Sequence, residues 1–158
     1  MELSELVGPE DVLVEFDPPD KWAAIDQLFD HLVTRGRIPE ELASELREAV
    51  ELRERSMSTG MERGIAIPHA AVDGVEEVVA CLGVVQREEG LAFESVDARP
   101  AHVVVLLLIP RAQKLLHIRT LADIARLLGR KDVRAALVAA ECSEDAWNAL
   151  RQEGAHHD

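Results

Sequence analysis

HVVVLLLIP, residues 102–110, decides what kind of fold this chain can adopt. An unbroken aliphatic run from Val103 to Ile109 follows a histidine and stops at a proline. A strand with one wet face alternates apolar and polar residues. A run without alternation belongs to a strand covered on both faces, as in a sheet packed between helices. The run is far too short to span a bilayer.

The chain around it supplies the covering helices. Upstream, VLVEF at 12–16 predicts a short strand, and DPPD breaks it. Lys21–Arg35 carries Trp22, Ile25, Leu28, Phe29 and Leu32 at helical spacing, with Gly36 as the residue just past the helix end. Ile38-Pro39 opens a second helix, running to about Arg55, with Leu42, Leu46, Ala49 and Val50 inward. SMSTG (56–60) is turn chemistry, Ile65–Ile67 predicts a strand ended by Pro68, Val75–Val85 a central strand, and 90–100 a loop. Downstream, Lys114–Leu128 predicts a long helix with Leu115, Ile118, Leu121, Ala122, Ala125 and Leu128 on its buried stripe, closed by Gly129. Lys131–Ala140 and Ser143–Gln152 predict two shorter helices, the second capped by Ser143. The expected architecture is α/β: a single domain, a central mixed β-sheet flanked by α-helices. The domain is expected over residues 1–153, with 154–158 a flexible tail. No internal repeat or linker interrupts it.

Composition narrows the partners. The 158 residues are 47% hydrophobic but only 3% aromatic, with no Tyr, so the core is expected to be aliphatic. Against 30 acidic residues stand 17 Lys and Arg, a net charge of −13. Nucleic-acid binding needs a basic surface that displaces counterions, and this chain offers none; partners with basic faces fit better. Cys81 and Cys142 show no CxxC spacing, which reads as free thiols in a reducing compartment. The N-terminal stretch has neither a basic region nor a long apolar run, so no secretion signal or membrane insertion is expected, and the expected location is cytoplasmic.

Three side chains stand out chemically. His69 follows Pro68, which cannot donate to a sheet ladder. The ring is either a solvated or hydrogen-bonded histidine at a strand end, or a reactive imidazole held on a stiff lead-in where α/β sheets meet ligands. His117, near the start of the long helix, either covers the first turn or sits where a helix N-terminus favours an anion such as phosphate. Arg53, at the end of the second helix, is either a surface cation paired with Glu51 or Glu54, or a guanidinium that steers a phosphoryl group. Ser58 and Thr59 could bond a phosphate or serve only as loop residues. His102 fits a strand edge better than a metal site, and His156 and His157 lie in the tail. Neither an HExxH motif, a Cys/His cluster, a nucleophile elbow nor a P-loop is present. Imidazole is a competent nucleophile toward phosphorus, and the resulting N–P bond hands the group on readily.

Four stretches then converge: R-E at 53–54, S-T-G at 58–60, G-I-A-I-P-H at 64–69, and H-I-x-x-L-A-x-I-A-R-L-L at 117–128. In this order they resemble the enzyme IIA domain of the mannitol/fructose class, type 2, of the bacterial phosphoenolpyruvate-dependent sugar phosphotransferase system. The resemblance covers nearly the whole chain. It implies that His69 is the phosphorylated residue, that His117 bonds the phosphoryl group or orients the nucleophile, and that Arg53 lies near the phosphate. It further implies the carrier HPr as phosphate donor and a IIB component, with a cysteine acceptor, as recipient. No cofactor or metal is implied. Two departures mark this chain: PHA where many members read PHG, and FESVDARP where they read W-x-x-x-D-G-x-P, with Phe93 for the aromatic and Ala98 for Gly. Three roles follow from the resemblance. The chain is a phosphotransferase feeding sugar uptake, a nitrogen-type regulator whose His69 phosphorylation controls binding to target proteins, or a non-transferring interaction module of the same fold.

Overall fold

In the computed structural model, which describes residues 2–93, 95 and 97–155 (the side chains of 152–155 aside), the aliphatic run becomes the sheet's central element. Six α-helices and five strands are described, in the order α1 (Leu3–Leu6), β1 (Val12–Leu13), α2 (Lys21–Thr34), α3 (Glu40–Ser56), β2 (Ile65–Ala66), β3 (His69–Val72), β4 (Val79–Val84), β5 (Val103–Pro110), α4 (Lys114–Leu128), α5 (Lys131–Ala139) and α6 (Ser143–Ala155). All eight residues of β5 are buried. It pairs antiparallel with β4 on one side and parallel with β2 and β3 on the other, and β1 closes the far edge beside β4 in parallel. The sheet is therefore mixed.

Alternation along β5 builds two cores. Val103, Val105, Leu107 and Ile109 pack with α1, α4, α5 and α6 on one face. Val104, Leu106 and Leu108 pack with α2 and α3 on the other. Each leucine wholly removed from water contributes about 1.5–3 kcal/mol, so a strand buried on both faces anchors the whole domain. The three-layer arrangement is the α/β architecture expected from the unbroken run.

Several boundaries differ from the sequence reading. The first strand shortens to Val12–Leu13. The chain bends beyond it and lays the Phe16 ring on Gly83, where a side chain would lie within 2.4 Å of a ring atom. The strand expected over 75–85 begins at Val79, because Glu76 and Glu77 are exposed in the turn that precedes it. In α4 the buried row is Thr120, Ile124, Leu127 and Leu128, while Leu115 and Ile118 are 61% and 66% exposed. The stripe was misplaced because a threonine occupies its centre and two large apolar residues face outward. The last helix runs on to Ala155, and 156–158 of the expected tail lie outside the described residues.

The most consequential difference concerns Pro68. It does not end a strand. Ile65 pairs with Val103, Ala66 with Val104 and His69 with Leu107, so β2 and β3 lie in one register, a single edge interrupted by Ile67-Pro68. Proline has no N–H for the ladder, which opens the gap, yet its carbonyl still accepts from Leu107 N at 3.0 Å. His69 therefore restarts a strand.

Candidate functional site

Topology brings the site together at this interrupted edge. His69 shares the sheet face of Ile65 and Ile67, the face covered by α4. Val72 lies level with Pro110, so α4 begins beside the end of β3. It then runs back until Gly129 O accepts from the Arg63 guanidinium at 3.0 Å, next to the start of β2. His117, the fourth residue of α4, thus passes over His69. Their rings stand edge to face with centroids 5.4 Å apart.

The tautomer of His69 follows from its one recorded hydrogen bond. Nδ1 lies 2.7 Å from the carbonyl oxygen of Ile67. A carbonyl only accepts, so Nδ1 carries the proton and Nε2 holds the free lone pair. Burial, opposed by that hydrogen bond and assisted by the charges of Arg53 and His117, holds the ring's pKa below its ordinary 6.5. Burial and Arg53 likewise lower His117. Two neutral imidazoles side by side, one with a directed lone pair, form a nucleophile and a hydrogen-bonding neighbour.

A pocket of ≈ 200 Å³ opens beside the His69 ring, walled by Arg53, Ser58, Thr59, Gly60, His69 and Leu121 among others. Arg53 sits in the last turn of α3 and donates from Nη1 to Met57 O at 2.9 Å, which leaves further N–H groups of its guanidinium to be offered. No bond joins it to Glu51 or Glu54 among the described contacts. Ser58 Oγ accepts the Gly60 N–H at 3.2 Å. The Thr59 hydroxyl donates to Glu54, so it is committed inward. His117 N already bonds Gln113 O at 3.1 Å, so the open amides of α4 are those of Lys114 to Leu116, not the helix end before Ile118. Such a pocket, with a guanidinium, hydroxyl and neutral imidazoles, suits a tetrahedral anion attached to Nε2.

His69, His117 and Arg53 are thus gathered at one place. His102 is not: its Nδ1 bonds Val85 O at 2.9 Å, as a strand-edge residue. Among the described residues no group of three His, Cys, Asp or Glu could hold a metal ion. No described helix is long and apolar enough to cross a membrane. Three exposed apolar side chains lie close in the chain to these residues: Leu115 and Ile118 near His117 in α4, and Met57 just after α3. The sequence placed Glu54 only as a possible partner of Arg53 and as part of the R-E pair, with no role of its own. It lies four residues beyond Val50 on the inward row of α3 and is 2% exposed, held by Lys21 Nζ at 3.2 Å and by Thr59. A carboxylate on an otherwise apolar row was the signal available.

Known proteins are similar to this chain in sequence and in fold. Residues 5–153 match the family model described as phosphoenolpyruvate-dependent sugar phosphotransferase system, EIIA 2. The chain is similar to the PTS system fructose-specific EIIA component of Haloferax volcanii, 30% identical over 96% of each chain. It is also similar to the nitrogen regulatory protein of Pseudomonas aeruginosa, 32% identical over 90% of each. It matches the fructose-specific EIIABC component of Bacillus subtilis at 32% identity, spanning 22% of that longer protein. Among solved structures, nitrogen regulatory protein IIA-Ntr from Neisseria meningitidis superposes with a TM-score of 0.79 at 22% identity, covering 94% of this chain and 98% of that one. Mannitol IIA of Escherichia coli, solved in complex with phosphorylated IIB, superposes with a TM-score of 0.76 at 20% identity, covering 92% and 97%. These two likenesses concern the fold.

Proposed function

Because the chain belongs to the type-2 EIIA family of the phosphoenolpyruvate-dependent sugar phosphotransferase system, we propose that it is a phosphocarrier accepting a phosphoryl group at Nε2 of His69. The observation that carries this reading is the hydrogen bond from Nδ1 to Ile67 O, which leaves Nε2 unprotonated on a ring that lines one pocket together with Arg53. The Nε2 lone pair attacks the phosphorus of a phosphohistidine on a donor carrier such as HPr. A new N–P bond forms, the donor's N–P bond breaks, and its electron pair returns to the donor nitrogen. The proton stays on Nδ1, which goes on donating it to Ile67 O throughout the transfer. Arg53, through the guanidinium N–H groups it has left to offer, stabilises the negative charge spread over the phosphoryl oxygens. His117 donates to one of those oxygens or orients the ring.

Onward transfer runs in reverse, to a IIB component. We infer that Met57, Leu115 and Ile118, exposed and near Arg53 and His117 in the chain, form an apolar rim that a partner covers, excluding water from the reaction. These encounters are expected to take place in the cytoplasm. Relatives of both the fructose and the nitrogen-regulatory kind leave a second reading, in which phosphorylation of His69 controls binding to target proteins. Onward transfer to a IIB component within seconds supports transport; a phosphoprotein stable to IIB but altered in target binding supports regulation.

The test is incubation with phosphoenolpyruvate, enzyme I and HPr, followed by intact mass. The wild type is expected to gain one acid-labile phosphoryl group, and His69→Ala none. Incorporation undiminished in His69→Ala, or none in the wild type with an active donor, contradicts the assignment.

A further inference from the structure

Building on the reading of His69 as the phosphoryl acceptor, we propose that Glu54 is a positioning residue for the transfer, fixing the orientation and tautomer of the His69 ring through a chain of hydrogen bonds. The chain starts on α2, where Lys21 Nζ donates to Glu54 Oε2 at 3.2 Å. Thr59 N donates to the same oxygen at 3.0 Å, and the Thr59 hydroxyl donates to Oε1. Thr59 O accepts the Ile67 N–H at 3.1 Å, and Ile67 O accepts the Nδ1–H of His69 at 2.7 Å.

Each link replaces something the sheet does not supply. Ile67 lies in the gap between β2 and β3, where Pro68 has no N–H for the ladder. Its N–H, in the peptide unit just ahead of the carbonyl that His69 uses, is held from outside β5 by Thr59, beside the bridge of Gly60 to Ala66. Thr59 belongs to no helix or strand, and it is held by the buried carboxylate. Consecutive residues of α3 thus divide one task. Arg53 turns outward and pins Met57 O at one end of the loop, while Glu54 turns inward and pins Thr59 at the other.

A carboxylate here is costly unless it does more than fill space. Ala43, Leu46 and Val50 occupy the same row of α3, so an aliphatic residue could complete the core. Burying the charge costs several kcal/mol, offset only by full hydrogen bonding and the lysine. Its charge also reaches the acceptor: Glu54 favours the protonated form of His69, against burial, Arg53 and His117. Arg53, His117 and Glu54 are the charged or titratable neighbours that act on the ring. A displaced imidazole loses its line of attack, and a misplacement of about 1 Å costs on the order of a hundredfold in rate.

The test compares wild type with Glu54→Gln and Thr59→Val, each labelled with 15N at histidine. Without any phosphate donor present, NMR reads the tautomer and titration of His69. Glu54→Gln is expected to lower the His69 titration midpoint and to populate the Nε2–H tautomer. In single-turnover acceptance from phosphorylated HPr, it is expected to slow the reaction by about tenfold or more. Thr59→Val, which loses only the hydroxyl link, is expected to fall between. If Glu54→Gln does not fold, Thr59→Val carries the test with the same readouts. A folded variant with the wild-type tautomer, midpoint and acceptance rate overturns the proposal. Failure of the wild type to accept phosphate would sink the carrier reading alone, since the donor-free NMR comparison still judges Glu54.

Discussion

At the scale of single residues, the proposed transfer rests on keeping one nitrogen free. His69 is neutral because it is buried, and its proton is parked on Nδ1 because Ile67 O can only accept. The folded-state pKa lies below the ordinary 6.5, so the unfolded chain binds the proton more readily. The linked stability is full above pH 6.5 and is lost as pH falls below it toward the folded value. Acceptance is expected to follow the same direction: flat from pH 8 to about 6.5, declining only at lower pH as Nε2 becomes protonated. Single-turnover rates across this range check it, and a decline centred above 6.5 contradicts it. The identities of His69, His117 and Arg53 were legible in the sequence because each is a chemically distinctive residue beside a structural break. Which nitrogen is free was not legible, since it depends on where the Ile67 carbonyl points. Nor was Glu54, whose role appears only when α2, α3 and the loop at 57–61 are seen together.

At the scale of elements, the unbroken run 103–109 sufficed to place the central strand, and helical spacing placed α2 and α3 within a residue or so. What failed was phase and continuity. Thr120 sits at the centre of the buried row of α4, so a polarity-based stripe chose Leu115 and Ile118 instead. Proline at 68 reads as a stop, although an edge strand can lose one ladder bond and resume in register. The loop before β5 carries a local conflict that the sequence did hint at. Ala98, where similar domains have glycine, adopts φ 60° in the left-handed region. That conformation costs a non-glycine residue about 1 kcal/mol, partly offset by the greater unfolded-state freedom of glycine. Ala98→Gly is expected to leave stability unchanged or raise it by up to about 1 kcal/mol in urea unfolding, with acceptance unaffected. A loss of more than about 1 kcal/mol contradicts the strain.

At the scale of the whole molecule, a net charge of −13 accompanies a site proposed to transfer an anion. Such a surface draws a carrier with a basic face and speeds encounter at low salt, after which the apolar rim makes the close contact. The second-order rate of acceptance is expected to fall about tenfold or more between roughly 0.05 and 0.5 M salt, where screening shortens to a few ångströms. The first-order transfer step within the complex is expected to change little. A rate indifferent to salt would mean that the carboxylates serve solubility alone. The mixed sheet acts as the frame for this encounter. It presents β3 at its edge and carries α4 back over it, so the reactive pair is set by the two halves of one packed layer. Charge distribution was readable from composition; its separation from the apolar rim was not, because that depends on which face of α4 is buried.

The central claim is that one nitrogen of one histidine takes the phosphoryl group. Phosphorylation of the 15N-histidine protein by phosphoenolpyruvate, enzyme I and HPr, followed by long-range proton–nitrogen NMR, tests it directly. The account expects phosphorus on Nε2 of His69, with Nδ1 still protonated and bonded to Ile67 O. Phosphorus on Nδ1, on His117, or on no histidine at all would contradict it.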